Sequence, residues 1–217
     1  MAGIEDAGLS FDASYQYQSL AEELRVNAAS FAAFKNHTEQ NTLRDLLVDS
    51  TGKPRSWSEF KKEALPITQE YNTTWLQTEY DQSVASAQMA EKWAGFSENA
   101  DIYPNLEYRA VMDGQTRPEH AALDGIILPI DDPFWDTNYP PNGWGCRCSV
   151  TQTAKEVDNK KISSDFNPAK GFDFNPGKDQ KLFSDSNGYR ADLAKTVIKD
   201  INKQSNSLLN QYLENEQ

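Results

Sequence analysis

The chain has 217 residues, 38% of them hydrophobic, with 33 acidic against 21 basic side chains and a net charge of −12. That length suits one ordinary domain, or one core with helical extensions, and folding should bury roughly 70% of the unfolded surface. The negative balance argues against gripping nucleic-acid phosphates, so no direct nucleic-acid binding is expected and the partner should be protein.

No apolar run reaches the roughly 18 residues of a membrane span. The stretch MAGIEDAGLSFDASYQYQSL carries acids where a signal peptide has a basic and then an apolar region, so the chain is expected to stay in the cytoplasm where it is made. Its two cysteines, one residue apart, are no disulfide framework, and in a reducing compartment they point to a metal or a reactive thiol.

Residues 12–50 read as helix, with Leu20, Leu24, Ala28, Phe31 and Phe34 recurring every three or four positions and a second short stripe at Leu43, Leu46 and Leu47. The segment DSTGKPRS breaks the pattern. Ser56 with Glu59 three residues on forms a capping box that opens a helix through Phe60 and Ala64, and Pro66 ends it or starts the next. A long helix follows, its stripe at Leu76, Tyr80, Val84, Ala87, Ala90 and Ala94 and its stop at Gly95.

Near Asn99 the character changes to aromatics, prolines and glycines, with β-type runs LEYRAV, GIILPI and RCSV predicting a small irregular antiparallel sheet with long loops. After Val150 come turn-rich stretches including NPAKGFDFNPGKDQ, then a polar helix over about 189–212 with a thin stripe at Leu193, Val197, Ile201, Leu208 and Leu209. The expected class is α+β. Its expected divisions are a helical region at 1–98, a β-rich module at 99–155, and a turn-rich segment with a terminal helix at 156–217, forming one compact unit.

The chemistry concentrates in MDGQTRPEHAALDG and IDDPFWDTNYPPNGWGCRC. Pro118 suits the first position of a helix, so PEHAAL reads as one or two turns that stop near Gly125 and carry His120. Cys146 and Cys148, two apart on extended backbone, point to one side. His120 with Cys146 and Cys148 makes three zinc ligands, with Asp113, Asp124 or Asp132 as candidate fourth. The competing readings are two small core hydrophobes beside a buried, hydrogen-bonded histidine, or a strained disulfide whose Cα atoms would lie roughly 6.6 Å apart.

Zinc deaminases use His, Glu and two cysteines as well, but with one residue between His and Glu and with P-C-x-x-C, and neither spacing occurs here. A Cys/His nucleophile pair is geometrically possible, yet nothing in the sequence supplies an orienting third group, and no enzymatic activity is expected. Asp131, Asp132 and Asp136 read as a turn whose carboxylates cap amides while Phe134 and Trp135 fill the core. An ion pair of Asp113 with Arg117 would lock the turn before His120, worth under about 1 kcal/mol if exposed.

In order along the chain, Asp113, Arg117, His120, Gly125, Asp132, Trp135, Pro140, Pro141, Gly143, Cys146 and Cys148 resemble the shared pattern of the Mu F-like phage head morphogenesis family. The resemblance is close over about residues 70–150, extends to FNPG at 174–177, and does not anchor residues 1–55 or the last helix. It implies a non-catalytic minor head protein of a phage or prophage, associated with the portal vertex in few copies, made in the bacterial cytoplasm and carried in the virion. Portal or capsid protein is then the expected partner, which the acidic charge favours over DNA. Related domains are fused to toxins; ending on a polar helix, this chain is not expected to carry one, and a toxin-linked interaction module is the alternative, beside a zinc or thiol enzyme.

Overall fold

The computed structural model describes residues 2–158 and 166–215. Among them the elements run α1 (Ala2–Asp6), α2 (Gln18–Asp45), α3 (Trp57–Gln69), a π-helical turn (Glu70–Thr74) and α4 (Trp75–Glu98). Then come β1 (Asn105–Arg109), α5 (Pro118–Ala121), β2 (Ile127–Pro129), α6 (Phe134–Asn138), β3 (Ser149–Thr153), α7 (Pro176–Asp179) and α8 (Lys195–Asn215). The class is α+β. Residues 159–165, part of the turn-rich segment read after Val150, lie outside the described residues. No described helix is long and apolar enough to cross a membrane.

Two compact units form, one from residues 1–28 and 81–188 and the other from 29–80 and 189–217.

In the first unit, β1 is the centre of a three-stranded antiparallel sheet in the order β2-β1-β3, with Leu106 opposite Leu128 and Gln152, and Tyr108 opposite Val150. Each run of β-branched and aromatic residues singled out in the sequence yields one strand. Leu106, Tyr108, Leu123, Ile126, Trp135, Tyr139 and Val150 are essentially sealed from solvent and form one core with Met89 and Trp93 of α4. Trp135 donates its indole N–H to the Pro129 carbonyl at 2.9 Å, and Tyr139 donates its hydroxyl to the Met89 carbonyl at 3.0 Å, so both buried polar ends are satisfied.

Glu107 on β1 is only 8% exposed and carries two cations, Lys155 Nζ and Arg109 Nη1, each at 3.0 Å. The hydrogen bond from Lys155 is the main cause that holds its carboxyl below the ordinary value of 4.5. A carboxylate with a depressed folded-state pKa contributes stability that is present above its unfolded value and is lost as pH falls through the folded one. The unfolding midpoint should therefore drop as pH is lowered from above 4.5, and Glu107→Gln should flatten that dependence; thermal melts at several pH values check both.

In the second unit, Ser56 and Glu59 form the expected capping box at the start of α3. α2 is shorter than read, because Asp12 Oδ1 accepts from the Ser14 amide and hydroxyl in a turn that precedes it. α3 runs through Pro66 rather than ending there. Pro66 and Lys62, whose carbonyl loses its helical donor, are both exposed, so water can satisfy the orphaned group.

α4 likewise passes through Gly95 to Glu98. A Cβ at Gly95 would meet the Tyr17 hydroxyl at an ordinary contact distance of 3.5 Å, so the surroundings would accept a larger residue there. The buried face of α4 keeps Ala87 and Ala90 of the predicted stripe but departs from it elsewhere. Leu76 is 54% exposed, whereas Gln82 and Ser86 are buried and hydrogen-bonded to each other at 3.0 Å. α8 buries Ile201, Ser205 and Leu209 but leaves Leu208 exposed.

Candidate functional site

The site lies wholly in the first unit. Pro118 stands at the first position of α5, with Arg117 as N-cap, and the single helical turn presents His120, 4% exposed. Gly125 closes the turn at φ 74°, and its amide donates to the Tyr108 carbonyl at 2.8 Å, tying the His120 turn to β1. The segment 139–148 returns alongside through a cis Pro140–Pro141 bond and a left-handed Gly145 at φ 67°. Cys148 is buried, Cys146 half-buried, and neither is in a disulfide.

His120, Cys146 and Cys148 come together as their residue types suggested: their ligand atoms all lie within 4.8 Å of one another. Both sulfurs sit at nearly the same distance from His120 Nδ1, 3.6 Å for Cys146 and 3.7 Å for Cys148. The His120 ring packs edge-on against Phe166, with centroids 6.0 Å apart. The Cys148 thiol, donating toward Cys146 and desolvated, is pushed up to about 12, while Cys146 is lowered to about 6, chiefly by that donation and then by the backbone amides of Asn142 and Cys148 and the Arg117 charge. The two thiols are coupled, so as a pair they lose one proton below the ordinary thiol range and the other above it.

None of the three predicted fourth ligands belongs to this group. Asp113 forms a bidentate ion pair with Arg147, at 2.7 and 2.8 Å, and not with Arg117 as expected. Arg147 holds the Asp113 carboxyl well below the usual carboxylate range. Arg117 instead donates to the Trp144 carbonyl at 2.8 Å and lies against Gly143. Asp124 accepts from the Ala110 amide at 2.9 Å, and Asp132 caps the Phe134 amide at 2.8 Å, the amide-capping role read for this acidic turn.

Three neighbours of the site went unread in the sequence. The Tyr108 hydroxyl donates to Asn142 Oδ1 at 2.8 Å, and Arg147, between the two cysteines, turns the opposite way to meet Asp113. Arg147 was legible: period two on extended backbone puts it on the far side from its neighbours. Tyr108 and Asn142 were not, since they meet across 34 residues.

A cavity of about 20 Å³ adjoins the cluster, lined by Gln115, Thr116, Arg117 and Arg147 as well as the three ligand residues. A larger groove of about 480 Å³ runs along α4 past the cysteines, with Val84, Met89, Pro141 and Ser149 on its walls.

Comparison with known proteins fits this arrangement. The capsid assembly protein F of Escherichia phage Mu is 51% identical over 75 residues, 35% of this chain and 17% of its own length. The Mu-like prophage FluMu F protein of Haemophilus influenzae is 46% identical over 82 residues, 36% of this chain and 20% of its own length. The chain thus spans a fifth or less of the length of these relatives. No solved structure matches it. Residues 41–151 match the family described as Phage Mu protein F like protein. That span holds the sheet centre, the His120 turn and the cysteine pair, and the chain belongs to this family.

Proposed function

We propose that the chain is a non-catalytic component of phage or prophage head assembly that docks on portal or capsid protein at the portal vertex. The family match over residues 41–151 carries the reading, together with a curated relative named for capsid assembly. The non-catalytic role is supported by how the shared motif is used. Asp113, Arg117, Gly125, Asp132 and Trp135 are all engaged in contacts that shape the turns around His120 and the cysteines. The net charge of −12 favours a protein surface over DNA as the partner.

Deleting the gene in an inducible prophage and complementing it in trans tests this. The expected result is loss of infectious particles in the deletion, and peptides from residues 70–150 at a few copies per particle in the complemented strain. Infectious particles at full titre from the deletion strain would overturn the reading.

A further inference from the structure

We propose that His120, Cys146 and Cys148 bind one zinc ion, with a water in the adjoining cavity as the fourth ligand. The inference goes beyond the assembly role and stands without it.

Distances argue first. Zinc lies about 2.3 Å from a cysteine sulfur and about 2.0–2.1 Å from a histidine nitrogen, so tetrahedral coordination sets sulfur and nitrogen about 3.6 Å apart and the two sulfurs about 3.8 Å apart. Both sulfurs stand at 3.6–3.7 Å from the one nitrogen, and all three atoms fall within 4.8 Å. A plain thiol–imidazole hydrogen bond explains one of those distances but not both. The ring nitrogen has one lone pair or one proton to direct, whereas a cation between the three atoms satisfies every distance together.

The surroundings argue second. His120 and Cys148 are buried and Cys146 is half-buried, so the three ligand atoms are largely withdrawn from bulk water. Two thiolates and a neutral imidazole cancel the charge of a zinc ion, so the buried assembly is neutral.

The cavity argues third. At about 20 Å³ it adjoins all three ligand residues and exceeds the space one water needs. Asp113 is not the fourth ligand, because both its oxygens are held by Arg147. Zinc here closes a loop between the His120 turn and the cysteine segment, 26 residues apart. In this irregular small-stranded module it serves as a fastener.

The test uses the full chain purified without chelator. Elemental analysis should find one equivalent of zinc. After chelation, added cobalt(II) should give thiolate charge-transfer and tetrahedral ligand-field bands, and excess zinc should abolish them. Cys146→Ser, Cys148→Ser and His120→Ala should each bind zinc at least about tenfold more weakly, because a lost ligand costs no less than a lost outer partner. Asp113→Asn should retain the full equivalent.

Wild-type protein that is folded by circular dichroism yet holds no zinc and gives no cobalt bands would overturn the site without recourse to any variant. Loss of zinc in Asp113→Asn would overturn the ligand set. Small anions such as azide should shift the ligand-field bands by displacing the water, and bands indifferent to them would overturn the open fourth position.

Discussion

Trp135→Ala should lower the stability of the first unit by about 3–5 kcal/mol, the range for truncating a fully buried tryptophan. The side chain has no exposed surface and is packed edge-on against Phe134 and Tyr139, with ring centroids 5.0 and 6.3 Å away. Truncation removes both contacts, opens a cavity in the packed core, and takes the indole donor from the Pro129 carbonyl, which keeps the Asp132 amide at 3.0 Å. Asn175 Nδ2 also reaches the Trp135 carbonyl at 2.9 Å, while its Oδ1 caps the Gly177 and Lys178 amides, so the loss should spread to α7. Trp135→Phe separates the terms: most of the volume stays and only the indole donor goes, at about 0.5–1.5 kcal/mol. Peptide-resolved hydrogen exchange under mild urea checks this, with β1–β3 peptides losing protection in the alanine variant far more than in the phenylalanine one. Equal protection in wild type and Trp135→Ala would mean that the core does not rest on this ring.

Trp135 also marks where the sequence could be read and where it could not. Its place in a capped turn followed from local chemistry: Asp132 two residues before Phe134, with aromatics next to the carboxylates. The same locality made the Ser56/Glu59 box, the Pro118 helix start and the common side of Cys146 and Cys148 legible, since each depends on residues at most three apart. What failed was long-range. Arg117 and Arg147 are equally plausible partners for Asp113 in sequence, and only the fold puts Arg147 within reach. The stripe assigned to α4 counted apolar residues, whereas the buried face contains Gln82 and Ser86, which satisfy each other. Gly95 was read as a stop, and Pro66 as a stop or a fresh start, from propensities of about 1 and 3 kcal/mol, which the helices tolerate where they run. The two-unit division, in which α2 and α4 each contribute to both units, leaves no compositional boundary to find.

Lys35→Met should destabilise the second unit by about 3–5 kcal/mol by leaving a buried carboxylate without its cation. Lys35 Nζ donates to Glu79 Oε2 at 2.5 Å and to the Tyr71 carbonyl at 2.8 Å, and the two charged side chains are only 12% and 9% exposed. Tyr189 donates its hydroxyl to the other oxygen of Glu79 at 2.8 Å, so one carboxylate joins residues from α2, α4 and the segment before α8. Stacking supports the same junction, with Tyr71 lying 4.5 Å from Trp75 and 6.2 Å from Tyr189 between centroids. Removing the cation leaves Glu79 with the Tyr189 donor in a desolvated place, which costs far more than an exposed ion pair of about 0–1 kcal/mol. The double variant Lys35→Met/Glu79→Leu removes the uncompensated charge and should recover at least about 2 kcal/mol, because an apolar replacement of both partners avoids the desolvation term. Hydrogen exchange in peptides of α2 and α8 reads both variants. A double variant no more stable than Lys35→Met would show that the pair acts through packing of the lysine stem rather than through its charge.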